Sequence, residues 1–247
     1  MKKLLTFLIF ALTFPAYSQG LDTTIKYDLN FDREEETIRL TYNESAQEFR
    51  LKINNDEFTG KYSDAYDAGI EIIDINRNDN LREVLVKGYG PSDQSDMYFF
   101  QFINGRITQC GHLPSNFGIE ATGNGMLTEY AWMGFWTAKF RYEFDSKNKT
   151  ITKIEDEFYD VDQPCEVKES FDLLKDRSDN SEVTFKLKPG TKITLVKADI
   201  TEVCLSTDGL NDDFFCDWFL IKTSDGKKGW CRLKNFYEKV DGLVWAG

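Results

Sequence analysis

Apolar and polar residues alternate with period two along most of this chain. Residues 37–42 (TIRLTY) and 48–53 (EFRLKI) do so, as do 97–103 (MYFFQFI), 138–144 (AKFRYEF) and 150–154 (TITKI). Successive strand side chains point to opposite faces, so each run predicts a half-buried strand. Asn104-Gly105 and residues 145–148 (DSKN) supply tight-turn chemistry between them. Residues 122–125 (TGNG) read as a turn before a strand starting at Met126, and residues 132–136 (WMGFW) as sheet core. No stretch sustains a helical period; residues 169–175 predict only a turn or two of helix. The expected fold class is all-β.

The first eighteen residues break the alternation. Lys2 and Lys3 precede the apolar run 4–12, and Ala16 and Ser18 are the small residues a signal peptidase reads. That run is shorter than a membrane span requires. Residues 1–18 are therefore expected to be an export signal, with the mature chain starting near Gln19 in the periplasm or outside the cell. The full chain carries 30 basic and 42 acidic residues, net −12, and loss of the two leader lysines takes it to −14. Such an acidic balance argues against nucleic acid and anionic membranes as partners.

Export permits disulfides. The five cysteines are odd in number, and Cys204 with Cys216 is the preferred bridge because they bracket the turn-rich segment 206–213. Cys110 is read as structural, paired with Cys165. A single histidine, His112, and no CxxC pair argue against a structural zinc site. The length suggests two domains. The pattern changes after the acidic segment 155–162, so the domains are expected at 19–167 and 168–247.

Between the apolar runs 70–73 (IEII) and 84–86 (VLV) lies Asp74-Ile-Asn-Arg-Asn-Asp-Asn-Leu-Arg-Glu83. Oxygen side chains at alternate positions of a tight loop suit a hard cation. The same residues serve equally well as Asx caps of their own turn. Together with Gly90-Pro-Ser-Asp93, Tyr98-Phe-Phe100 and Asn104-Gly105, the loop resembles FG-GAP or VCBS-type repeats of exported bacterial proteins. That resemblance covers 70–107, a single copy, and implies weak structural calcium at Asp74, Asn76, Asn78, Asn80 and Glu83. A full propeller needs more blades than the chain supplies. The expected N-terminal fold is a β-sandwich or a partial propeller-like sheet.

Residues 187–190 (LKPG), 191–196 (TKITLV), 218–222 (WFLIK) and 225–230 (DGKKGW) occur in the order seen in bacterial SH3-like (SH3b) domains, which the C-terminal part resembles. The resemblance implies a small barrel that contacts a peptide or a cell-wall component such as peptidoglycan. Phe214, Trp218, Trp230 and Tyr237 are the aromatic residues expected to line such a groove; as large apolar side chains they also suit a small barrel's core. Catalytic signatures are sparse: His112 reads as a loop residue, and Cys110, two residues away, makes no recognised dyad. The chain is thus expected to be a non-catalytic exported binding protein. The alternatives are a wall- or glycan-active hydrolase using carboxylates, or a structural subunit of an envelope assembly.

Overall fold

A computed structural model describes residues 22–91, 95–115, 118–200 and 215–245. The leader expected over 1–18, Cys204 and Phe214 lie outside these residues. The fold is all-β. Three four-stranded antiparallel sheets follow one another along the chain, and a seven-stranded sheet completes it.

The first sheet is the meander β1 (Asp22–Tyr27), β2 (Glu36–Asn43), β3 (Glu48–Ile53) and β4 (Asp56–Lys61). Its alternation sends Ile38, Leu40, Phe49, Leu51 and Ile53 inward, while Thr37, Arg39, Arg50 and Lys52 meet water. The second sheet is the meander β5 (Asp67–Ile73), β6 (Glu83–Tyr89), β7 (Ser95–Ile103) and β8 (Arg106–Ser115). It is buried on both faces, which is why β6 and β7 read as nearly continuous apolar runs. Val84, Val86, Phe100 and Phe102 pack on the first sheet. Leu85, Met97 and Phe99 face the other way, toward the third sheet. Each such side chain contributes roughly 1.5–3 kcal/mol by leaving water.

The third sheet comprises β9 (Ile119–Ala121), β10 (Met126–Trp132), β11 (Thr137–Asp145) and β12 (Thr150–Ile154). Its inner face serves two cores. Leu127, Tyr142 and Phe144 pack on the second sheet, whereas Ala138, Phe135 and Trp136 join the core of the last sheet. Phe140 touches both.

The last sheet contains β13 (Tyr159–Val167), β14 (Phe171–Leu174), β15 (Val183–Leu187), β16 (Lys192–Asp199), β17 (Trp218–Thr223), β18 (Lys228–Arg232) and β19 (Val240–Asp241), in the order β15-β14-β18-β17-β16-β13-β19. A short helix α1 (Leu233–Phe236) and a 3-10 turn (Tyr237–Lys239) precede β19. Leu173, Leu187, Ile193, Phe219, Cys231, Phe236 and Val240 share one core, so the sheet curls around them. This sheet starts at Tyr159, and β13 pairs with β16 and β19.

Several expectations are corrected. Residues 169–175 form no helix: Phe171 and Leu173 alternate inward on β14, and Thr184 Oγ donates to the Leu173 carbonyl at 2.9 Å. His112 lies on β8 rather than in a loop. Cys110 and Cys165 are both free thiols in different cores, so they form no pair. Cys216 is disulfide-bonded, while its expected partner Cys204 lies outside the described residues. The closing segment packs back on the protein: Leu243 lies against the last core, and the Trp245 ring meets Phe135 at 5.2 Å. Gly134, at φ 84°, makes that approach possible, because a Cβ there would lie 2.4 Å from the Trp245 ring.

Candidate functional site

The residues expected to hold calcium join β5 to β6. Asp74 forms a short ion pair with Arg82. Asn76 Oδ1 accepts from Asn78 N at 3.2 Å and from Asn78 Nδ2 at 3.3 Å, an Asx turn. Asp79 Oδ1 caps Leu81 N at 3.1 Å, and Asn80 takes the left-handed conformation at φ 55°. Glu83 turns inward beneath the loop and is fully buried. Its Oε2 accepts from Ile75 N at 3.0 Å and its Oε1 from Gln101 Nε2 at 2.7 Å. Burial pushes its carboxyl above the ordinary range, against those two hydrogen bonds. Asp74 Oδ1 and Asp79 Oδ2 are buried with no hydrogen-bond partner. Among the described residues, no group of three or more His, Cys, Asp or Glu is placed to hold a metal ion.

Sequence reading missed a second copy of this loop. Asp28-Leu-Asn30 joins β1 to β2 as Asp74-Ile-Asn76 joins β5 to β6. Leu29 N donates to Glu36 Oε2 at 2.9 Å, as Ile75 N does to Glu83. Asn30 Oδ1 accepts from Asp32 N at 3.0 Å, repeating the Asn76 turn. Asp28 Oδ1 is buried without a partner, as is Asp74 Oδ1. The signal was present as Asp-apolar-Asn followed by Glu, but the Glu comes one residue sooner in the first copy. The loops also dock in series. Arg82 N donates to Leu29 O and Gly125 N to Ile75 O, both at 2.8 Å. Arg77 N reaches Gly123 O at 3.0 Å, and a Cβ on Gly123 would lie 2.6 Å from Arg77 Nε.

The expected aromatic groove is distributed differently. Trp218 and Trp230 stand on the outer face of β17 and β18, opposite Arg232 and Leu220 respectively. Trp218 is buried, with the Arg232 guanidinium 4.3 Å above its ring. Arg232 is held in turn by Asp179 at 3.0 Å and by the Cys216 carbonyl at 2.6 Å. Trp230 is half-buried against Phe158 at 5.4 Å, and Arg177 lies 5.5 Å from its ring and 4.6 Å from that of Phe158. Arg177 also bonds Asp199 at 2.6 Å and Glu157 at 2.9 Å. Tyr237 packs elsewhere, edge-on to Phe215 at 4.7 Å. The two tryptophans are therefore covered by the chain's own arginines, and Tyr237 belongs to a separate aromatic group.

His112 stacks on Tyr98 at 4.1 Å, and its Nε2 lies 2.6 Å from Asp96 Oδ1. A β-bulge between Phe99 and Phe100 leaves Cys110 unpaired on β8, and Cys110 faces the core between the second and third sheets. Burial pushes its thiol up to about 12, the opposite of an activated nucleophile.

The chain matches no established family model and no curated protein.

Proposed function

We propose that this is an exported, non-catalytic binding protein whose C-terminal barrel contacts a peptide or a cell-wall component such as peptidoglycan. The strand order carries this reading. The segments that resemble SH3-like domains fall on consecutive strands β16, β17 and β18. A tight turn at Asp225-Gly226 joins the last two, and a short helix leads into a final strand that pairs with β13. The three-sheet stack then serves as the support. Sedimentation with insoluble peptidoglycan tests it: retention of the wild type is expected, and its absence removes the wall-binding reading. Trp218→Ala is unsuitable as a probe, because Trp218 is fully buried beneath Arg232 and its loss costs about 3–5 kcal/mol of stability.

A second reading, weak structural calcium at the Asp74–Glu83 loop, is favoured by the two orphaned oxygens Asp74 Oδ1 and Asp79 Oδ2. These two carboxylates would hold the ion; Glu83 and Asn76 are spent on the loop itself. So few charged ligands imply affinity of order 10⁻⁴–10⁻³ M. Thermal melting in millimolar calcium against chelator is expected to show a rise in Tm that Asp74→Asn abolishes. No heat in calorimetry and no shift in melting would remove calcium from the picture.

A further inference from the structure

The outer face of the last sheet carries an open cleft of about 720 Å³ between β13, β16 and β17. Two register breaks shape it. Asp160 pairs with Lys197 and Gln163 with Leu195, leaving Val161 and Asp162 opposite Val196 alone. Val196 is skipped again between the pairs Leu195–Ile221 and Lys197–Leu220. Bulges bend a strand and tighten its twist, and here two bulged strands lie side by side. Asp162 adopts the left-handed conformation at φ 53°.

The charges on the cleft are segregated. Asp162 and Glu166 on β13 and Asp241 on β19 line one side, Lys192 on β16 and Lys222 on β17 the other, and Glu166 stands directly opposite Lys192. All five charged residues are exposed. Asp241 is paired with Lys168, and neighbouring Lys197 with Asp160; among the described residues, Asp162, Glu166, Lys192 and Lys222 have no opposite charge within 4.0 Å. A second cleft of about 480 Å³, running toward the third sheet past Lys139 and Arg141, meets the first at Asp162. The lining is thus elongated, open, and oppositely charged on its two walls.

We propose that this cleft is the barrel's peptide site and takes an extended segment bearing both signs of charge. Its carboxylate lies toward Lys192 and Lys222, and its ammonium toward Asp162 and Glu166. The inference rests on the peptide-binding reading above and locates its site. The aromatic face is the poorer choice, since Arg177 and Arg232 already cover Trp230 and Trp218. A purely anionic ligand is disfavoured by the net charge of −12, and a purely cationic one leaves both lysines unanswered.

Fluorescence anisotropy at low salt with labelled Ala-Glu-Lys-Ala-Glu-Lys, and with all-Glu and all-Lys peptides of equal length, tests this. The mixed peptide is expected to bind the wild type about fivefold or more tighter than either other peptide. Lys192→Glu combined with Lys222→Glu is expected to weaken it about tenfold with Tm unchanged, while Trp230→Ala leaves it unaltered. Equal binding by the double variant, or loss in Trp230→Ala alone, would overturn the cleft and leave the peptide reading standing. Preference for the all-Lys or all-Glu peptide would overturn the mixed-charge ligand. Failure of the wild type to bind any of the three would overturn the peptide reading itself.

Discussion

Both carboxylate oxygens of Glu83 are used inside the protein, one by Ile75 N and one by the Gln101 side chain. Desolvation is the larger influence and holds the folded-state pKa above its ordinary 4.5. The folded protein therefore takes up this proton more readily than the unfolded chain. Its contribution to stability is full below pH 4.5 and is lost as pH rises through the raised value. Glu83→Gln keeps an acceptor for Ile75, and Gln101, whose Oε1 is buried without a partner, can turn its amide to meet the new NH₂. Urea unfolding at pH 5 and pH 8 is expected to show a smaller fall in stability for Glu83→Gln than for the wild type. Identical falls would refute the burial account. Glu83→Ala strands two buried donors and is expected to cost about 1–3 kcal/mol for each. Spacing alone places Glu83 among the metal ligands. Period two places it on the face of Leu85, and the middle sheet is buried on that face too. From sequence, Glu83 is legible only as a ligand; what buries it is the third sheet lying over that face, which no local pattern announces.

Elements with strict alternation and polar turns were legible almost to the residue. Residues 48–53 and 150–154 are β3 and β12, because a half-buried strand has one face to satisfy and its sequence says which. The four-residue β14 was not. Phe171-Asp-Leu-Leu174 fits a helical or an extended period equally over so short a span, and its pairing with β15 and β18 decides the matter. The bulges that hollow the cleft were equally hidden, since an extra residue in one strand is defined only against its partner. Coverage of the tryptophans belongs to the same class. Arg177 and Asp179 sit in the segment between β14 and β15, and the Asp179–Arg232 contact spans 53 residues. The repeated Asp-apolar-Asn loop was within reach of sequence, but its meaning was not. Each copy presents a buried carbonyl, Leu29 O or Ile75 O, to the next loop along. The repeat thus fixes the sheets to one another whether or not an ion sits beside it.

At the scale of the molecule, the third sheet packs on both the stack and the last sheet, so the two are expected to unfold together. Its inner face is divided between two cores that meet at Phe140, and Phe135, between β10 and β11, carries the third sheet into the last core, buried, 5.6 Å from Phe219 and 5.2 Å from Trp245. Three free thiols report on the two sides. Cys110 lies in the core of the stack, and Cys165 and Cys231 lie in the core of the barrel. Burial pushes them up to about 12, about 11 and about 12 respectively. At pH 8 the folded protein therefore presents little thiolate, and labelling follows opening. In a urea series the three thiols of the wild type are expected to become reactive together. Phe135→Ala removes about 3–5 kcal/mol of packing, and it does so at a ring that touches both Phe219 and the closing segment. Cys165 and Cys231 are then expected to react at lower urea than Cys110, splitting one transition into two. If all three thiols instead shift together, the join is no weaker than the cores it connects. If Cys110 reacts first, the third sheet is held by the barrel rather than by the stack.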